Sequence, residues 1–404
     1  MGNSDRSSVI VRCILISAGI LVLLIVSFKT YSEISGPVSV PLPIVYSLAG
    51  WESHSETTWN GKGTIITFMS ENDLVPLGDH VTRKEPFHSK ILNGDRAMLV
   101  YLPENYTNAG KPYPVIFALH GFGDRPNNYV ISLLPLIEEL MEDGSFPPSV
   151  VVMPDFSLTG NGKTPQNYPT DGRSGSWYIN SNMGRYADHF INEIVPFVRK
   201  NFNVSRRSNH TALMGNSMGG FGVLYYSITR PNLADTVAAV YPAADLRYSI
   251  RGSRLKKWDA DGYLPITTDD PTRPYMEHRV FFNLAVPEAF FFEPVFNSDK
   301  RPGDTWEKDL PVWKRMKEVN PVDLLRDKDV QLDGIEYYVF AGDVDAFYFD
   351  AHIPLLRELL LKSSARVYPD DNIVPGLEHG WWQEHNDETK RKLVRWIGSR
   401  LMKK

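Results

Sequence analysis

Gly215-Asn216-Ser217-Met218-Gly219-Gly220 is the stretch of the chain whose residue types and spacing most directly suggest reactive chemistry. The strand-like run 210–214 (HTALM) leads into it, and a helical pattern over 221–229 follows at once. A serine therefore stands at a strand-to-helix turn with a glycine two residues before it and two after. Such a turn forces the serine into a strained backbone conformation, and the flanking positions approach too closely for a Cβ, so the hydroxyl is lifted above the sheet. A serine hydroxyl is a weak nucleophile at neutral pH. It needs a base to take its proton and an acid to orient that base.

In the nucleophile-elbow arrangement the acid and then the histidine follow the serine along the chain. The strand-like run 336–341 (EYYVFA) is followed by Gly342-Asp343-Val344-Asp345, which supplies two candidate acids. Asp345 is favoured over Asp343 because it lies further into the loop above the strand's carboxyl end; the alternative role for either is a helix N-cap. After the strand-like 365–368 comes Pro375-Gly376-Leu377-Glu378-His379-Gly380-Trp381-Trp382, which places His379 where the base is expected. His385 competes with it but falls inside the start of the last helical pattern. Glu378 and Glu384 accompany these histidines without H-E-x-x-H spacing, so no metal site is expected.

The negative oxygen of a tetrahedral intermediate requires preorganised donors. One candidate is the backbone N–H of Met218, at the start of the helix. The other is the N–H of Phe122, in the loop His120-Gly121-Phe122-Gly123-Asp124 that follows the apolar run 114–119.

These loops need a frame. Runs 64–69, 96–102, 114–119 and 150–153 read as strands, the last two being the short, wholly apolar kind buried on both faces. In 185–200 the apolar positions Tyr186, Phe190, Ile194, Phe197 and Val198 recur at spacings of three and four, a single stripe for packing on a sheet. Similar patterns occupy 353–361 and 392–401. Strands alternating with amphipathic helices predict an α/β fold with a mainly parallel central sheet covered by helices on both faces. The stretch from about 246 to 319 breaks the alternation and carries VFFNLAVPEAFFFEPVF at 280–296; its phenylalanines suggest an ordered, cap-like insertion.

Composition narrows the function classes. The 404 residues carry 43 Lys plus Arg against 48 Asp plus Glu, a net −5, which supplies no basic footprint for nucleic acid. A single cysteine, Cys13, excludes an internal disulfide framework, a Cys-based zinc site and a Cys-X-X-Cys redox pair.

Residues 9–28 form a nearly continuous apolar run, long enough at about 1.5 Å per residue to cross the ~30 Å core of a bilayer. The expectation is an N-terminal transmembrane signal anchor over 1–30, with a cleaved signal peptide or a buried core helix as alternatives. Arg6 before the run and Arg12 near its start, against Lys29 after it, place the N-terminus in the cytoplasm and the rest outside, either membrane-anchored or secreted. Cys13 at the edge of this segment is an acylation candidate, although a small apolar filler is the plainer role. Sequons at Asn105, Asn203 and Asn209 matter only on a eukaryotic secretory route. A Pro-, Ser- and Gly-rich lead-in over 31–63 precedes a catalytic domain spanning 64–404.

Taken together, HGFGD at His120, GNSMGG at Gly215, GDVD at Gly342, GLEHGWW at Gly376 and the segment SGSWYINSNMGRYADHFINEIVPFV at Ser174 resemble the Putative esterase family of α/β hydrolases. That family includes S-formylglutathione hydrolase (esterase D), feruloyl esterase domains and the antigen 85 mycolyltransferases. The resemblance covers roughly 90–401. It implies the α/β-hydrolase fold, with Ser217 as nucleophile, Asp345 as acid, His379 as base, and Phe122 and Met218 at the oxyanion hole. No cofactor is implied. The expected substrate is a small-molecule or glycan-linked carboxylic ester. Two rival functions are an acyltransferase that uses the same triad and a noncatalytic binding protein on a hydrolase scaffold.

Overall fold

Every residue of the strands Met98–Leu102, Val115–Leu119, Val150–Pro154, Thr211–Asn216, Thr236–Val240 and Glu336–Gly342 is buried. Side chains alternate between the two faces of a strand, so uninterrupted burial means that both faces are covered. In the computed structural model the residues described are 61–68, 80–122, 124–158, 175–181, 184–245, 248–251, 254–259, 262–264, 317–327, 329–345, 347–380 and 387–403. All lie in the compact unit Tyr46–Lys404.

The sheet strands are β1 (Thr64–Phe68), β2 (Val81–Lys84), β3 (Met98–Leu102), β4 (Val115–Leu119), β5 (Val150–Pro154), β6 (Thr211–Asn216), β7 (Thr236–Val240), β8 (Glu336–Gly342) and β9 (Arg366–Tyr368). Their order across the sheet is β9-β8-β7-β6-β4-β5-β3-β1-β2. From β9 to β5 every pairing is parallel; β3 runs antiparallel to both β5 and β1, while β2 is parallel to β1. The sheet is mixed and mostly parallel, as the alternation of elements predicts. Register sets the site: Leu119 lies opposite Gly215, Asn216 opposite Val240, and Val240 opposite Phe340, so β4, β6, β7 and β8 end side by side.

Two sequence expectations shift. Arg96 does not begin β3 but closes a hairpin of Gly94–Arg96 with Phe87–Ser89, polar strands without an apolar run to signal them. The helical stripe over 185–200 is not one α-helix: Tyr186–His189 passes through a π-helical turn, Phe190–Ile194, before Val195–Asn201. Pro196, near the start of the last piece, has no N–H for a ladder and crowds the carbonyl four residues back, which a widened turn relieves.

Of the insertion, 248–251, 254–259 and 262–264 form a small antiparallel sheet. The phenylalanine-rich part, the apolar run 9–28 and most of the lead-in lie outside the described residues. Among the described residues no helix is long and apolar enough to cross a membrane.

Candidate active site

Ser217 occupies the turn between β6 and the helix Met218–Thr229 with φ 54° and ψ −116°, a region that side-chain-bearing residues rarely adopt. The glycines around it are required by contact. A Cβ on Gly219 would lie 1.8 Å from Leu119 O, and one on Gly215 would lie 2.3 Å from Gly219 O. The turn is held by the Ser217 N–H, which donates to Val240 O at 2.9 Å, and by its carbonyl, which accepts from Phe221 N at 3.0 Å. Ser217 is 5 % exposed.

The candidate acid and base are brought together by their backbones. Ile373–Val374 pairs with the end of β8 at Ala341–Gly342, and the Asp343 N–H donates to Val374 O at 3.2 Å. Gly342 lets the two loops close: a Cβ there would lie 1.7 Å from Leu377 O. Asp345 and His379 then meet, with Asp345 Oδ2 2.7 Å from His379 Nδ1. Asp345 is completely buried, and its second oxygen accepts the Phe347 N–H at 2.7 Å, which fixes the carboxylate plane. Asp343, the alternative acid, is exposed and accepts the Gly376 N–H at 2.7 Å instead. The imidazole of His379 is boxed by the rings of Tyr241, Phe347 and Phe349, with centroids at 4.4, 4.5 and 5.3 Å. Tyr241 directly follows Val240, the residue that holds the Ser217 N–H, so nucleophile and base flank the same end of β7. No hydrogen bond joins Ser217 Oγ to His379 among the described residues; such links are commonly long before substrate binds.

The side chains of the two oxyanion candidates meet at Gly175. A Cβ on Gly175 would meet Met218 Sδ at 2.2 Å and Phe122 Cδ2 at 3.4 Å, so both side chains pack around one glycine. Met218 opens its helix, whose first N–H groups have no partner within the helix. His385 and Glu384 lie outside the described residues, and no cluster of His, Cys, Asp or Glu able to hold a metal occurs among those described.

Several polar residues of the site were not singled out in the sequence. Asp124 accepts from Asn128 Nδ2 at 2.8 Å and faces Asn216, and the loss of solvent around it pushes its carboxyl pKa up. Asp155 is buried, which alone would raise it, but the Arg125 guanidinium at 2.9 Å holds it well below the usual carboxylate range. Tyr129 and Tyr178 send their hydroxyls to the carbonyls of Leu119 and His120. Such contacts join residues 10 and 58 positions apart, and no local pattern signals them.

Compared with known proteins, residues 89–333 match the family described as Putative esterase, more than half of the chain. Esterase Rv1288 of Mycobacterium tuberculosis is 27 % identical over 146 residues, 35 % of this chain and 28 % of that protein. An endo-1,4-beta-xylanase/feruloyl esterase of Xylanibacter ruminicola is 28 % identical over 145 residues, 33 % of this chain and 18 % of that protein. The chain thus matches under a third of the length of either relative. Among solved structures, a ferulic acid esterase superposes with a TM-score of 0.52 at 17 % identity, covering 85 % of this chain and 99 % of that one, a likeness of fold.

Proposed function

The chain belongs to the Putative esterase family, and from that premise we propose that it is a serine carboxylic-ester hydrolase that works through an acyl-enzyme. The observation that carries this reading is the Asp345–His379 contact at 2.7 Å beside a serine held at φ 54°. Ser217 Oγ attacks the ester carbonyl carbon while His379 Nε2 takes its proton. Asp345, bonded to Nδ1–H, fixes the imidazole and balances its developing positive charge. The carbonyl oxygen, now negative, receives the N–H groups of Phe122 and Met218. Collapse breaks the bond to the alcohol, which leaves with the proton from His379. Water then repeats the sequence against the acyl-serine, releasing the acid and restoring Ser217. Side chains and backbone N–H groups account for each proton and charge in this cycle without a metal or cofactor.

The reading extends to the substrate. A carbohydrate-linked ester outside the cytoplasm is the favoured class, supported by the relative named as a feruloyl esterase and by the apolar run 9–28, which fits a membrane-anchored or secreted protein. The test is turnover of p-nitrophenyl acetate with labelling by a fluorophosphonate probe. Wild type is expected to hydrolyse the ester and carry the label on Ser217, and Ser217→Ala to do neither while keeping its melting temperature. Turnover retained in Ser217→Ala would refute the assignment, and absence of labelling would favour a noncatalytic scaffold. Acyl transfer to an added alcohol in preference to water would identify the acyltransferase alternative.

A further inference from the structure

Beyond Leu119, where β4 ends, three successive backbone carbonyls lie next to the site, and each is held by a side chain. Leu119 O accepts from the Tyr129 hydroxyl at 2.8 Å, and His120 O from the Tyr178 hydroxyl at 2.7 Å. Gly121 O lies 2.8 Å from His120 Nδ1 and also accepts the Asp124 N–H at 3.2 Å. The tautomer of His120 follows from its other nitrogen. Nε2 accepts the Phe156 N–H at 2.9 Å, so it carries a lone pair, and the ring proton sits on Nδ1, facing Gly121 O.

The direction of the next N–H is then set by geometry. A peptide unit is planar and trans, so the carbonyl of Gly121 and the N–H of Phe122 share one plane and point opposite ways. Whatever holds Gly121 O aims the Phe122 N–H. His120 is 1 % exposed and Tyr178 is fully buried, so neither reaches a substrate itself.

Tyr178 does a second job. It and its neighbour Trp177 have φ of 61° and 56°, two consecutive residues in the left-handed region, both buried to 0 % exposure. The Tyr178 carbonyl accepts from the Tyr226 hydroxyl at 2.8 Å, and its ring fills the space above Gly222, which a Cβ would enter to 2.7 Å. Both Tyr226 and Gly222 belong to the helix that begins at Met218. One tyrosine therefore braces the nucleophile helix, source of the Met218 N–H, against the loop that supplies the Phe122 N–H. Strained backbone of this kind persists only where its surroundings over-determine it, and it gathers at functional sites.

We propose that His120 and Tyr178 are positioning residues for the oxyanion hole: His120 aims the Phe122 N–H through the Gly121 carbonyl, and Tyr178 fixes its distance from the Met218 N–H. The proposal rests on the serine-esterase reading above. It predicts that the two side chains matter to the transition state and not to ground-state binding.

The experiment compares His120→Asn, His120→Gln and Tyr178→Phe with wild type in the full chain. An asparagine amide reaches the place of Nδ1 and can still donate to Gly121 O, whereas a glutamine amide reaches the place of Nε2 and cannot. The readouts are kcat and KM on p-nitrophenyl acetate, normalised to sites titrated to completion with fluorophosphonate, and the affinity for phenylboronic acid, which forms a tetrahedral adduct on serine. H120Q and Y178F are expected to lose about 10- to 100-fold in kcat, with KM within twofold and boronate affinity falling in parallel, while H120N recovers most of the loss. The proposal is overturned if H120Q keeps kcat within threefold of wild type, if H120N falls as far as H120Q, or if the loss falls on KM with boronate affinity unchanged. Should H120Q fail to fold, Y178F, which lacks a single oxygen atom, decides by the same readouts. A wild type that neither turns over ester nor labels at Ser217 would instead sink the parent reading.

Discussion

Asp343 and Asp345, two positions apart on one loop, face different partners: Asp345 Oδ2 is buried 2.7 Å from His379 Nδ1, while the exposed Asp343 accepts the Gly376 N–H at 2.7 Å. The second contact fastens the histidine loop, so in the proposed mechanism the pair divides the work between orienting the base and holding its backbone.

The division is testable by exchanging each carboxylate for an amide. Asp345→Asn should lower kcat by about 10³- to 10⁴-fold with little change in KM, because the amide imposes the wrong tautomer on the imidazole. Asp343→Asn keeps an oxygen for the Gly376 N–H and should stay within about threefold of wild type. Equal losses from both exchanges in steady-state kinetics would contradict the assignment of the acid.

Gly219 and Gly110 should respond very differently to alanine. At Gly219 the new Cβ would stand 1.8 Å from a main-chain oxygen of β4, which cannot give way without parting two neighbouring strands. Gly110 has φ +91° but open space around it, leaving only backbone strain of about 1 kcal/mol. Thermal melts should show Gly219→Ala unfolded or lowered by more than about 10 °C, and Gly110→Ala lowered by only a few degrees. A Gly219→Ala protein that melts like wild type would contradict the packing at the turn.

Stability should fall on mild acidification, and His189 is one identifiable reason. Burial pushes its imidazole down to about 4 from the ordinary 6.5, against the opposing pull of the Glu193 carboxylate at 2.7 Å. Between those values the unfolded chain takes up a proton that the folded chain refuses. The contribution is therefore complete above about pH 6.5 and is lost as pH falls through about 4, amounting to roughly 3 kcal/mol at most. Urea midpoints of wild type should drop between pH 7 and 4.5, and His189→Asn, which removes the titration but keeps a donor for Glu193, should show a shallower drop. Identical slopes would rule out His189 as a source.

Phe349 touches both His379 and His352, with ring centroids 5.3 and 5.1 Å away. Phe349→Leu loosens one wall of the box around the imidazole of the proposed base, His379. We expect kcat to fall about three- to tenfold with KM unchanged, and stability to fall by about 1 kcal/mol. An unaltered kcat would mean that Asp345, Tyr241 and Phe347 hold the ring without Phe349.

The parts of this site that chain order can announce were legible in the sequence. Ser217 is marked by glycines whose need is steric and local, and Asp345 and His379 each follow a recognisable apolar strand. The support beneath them was not. Tyr178 reads as one aromatic among nineteen tyrosines, and its left-handed backbone and bond to His120 O exist only once distant segments have packed. Strand Thr236–Val240 was likewise not singled out, since five small and β-branched residues carry no period that separates a buried strand from a buried helix. The hairpin of Phe87–Ser89 and Gly94–Arg96 is polar, and what ties it down is Glu193, whose carboxylate accepts from Ser89 Oγ and the N–H groups of Lys90 and Ile91.

β7 and β8 are neighbours in the sheet, with Thr236 opposite Glu336, although the whole insertion is threaded between them. Closing a longer loop costs only slightly more than closing a shorter one, so the ladder they form is nearly indifferent to what the chain does on its excursion. Descendants of this sequence could lengthen, shorten or rewrite that excursion while the ladder on either side of it is inherited untouched.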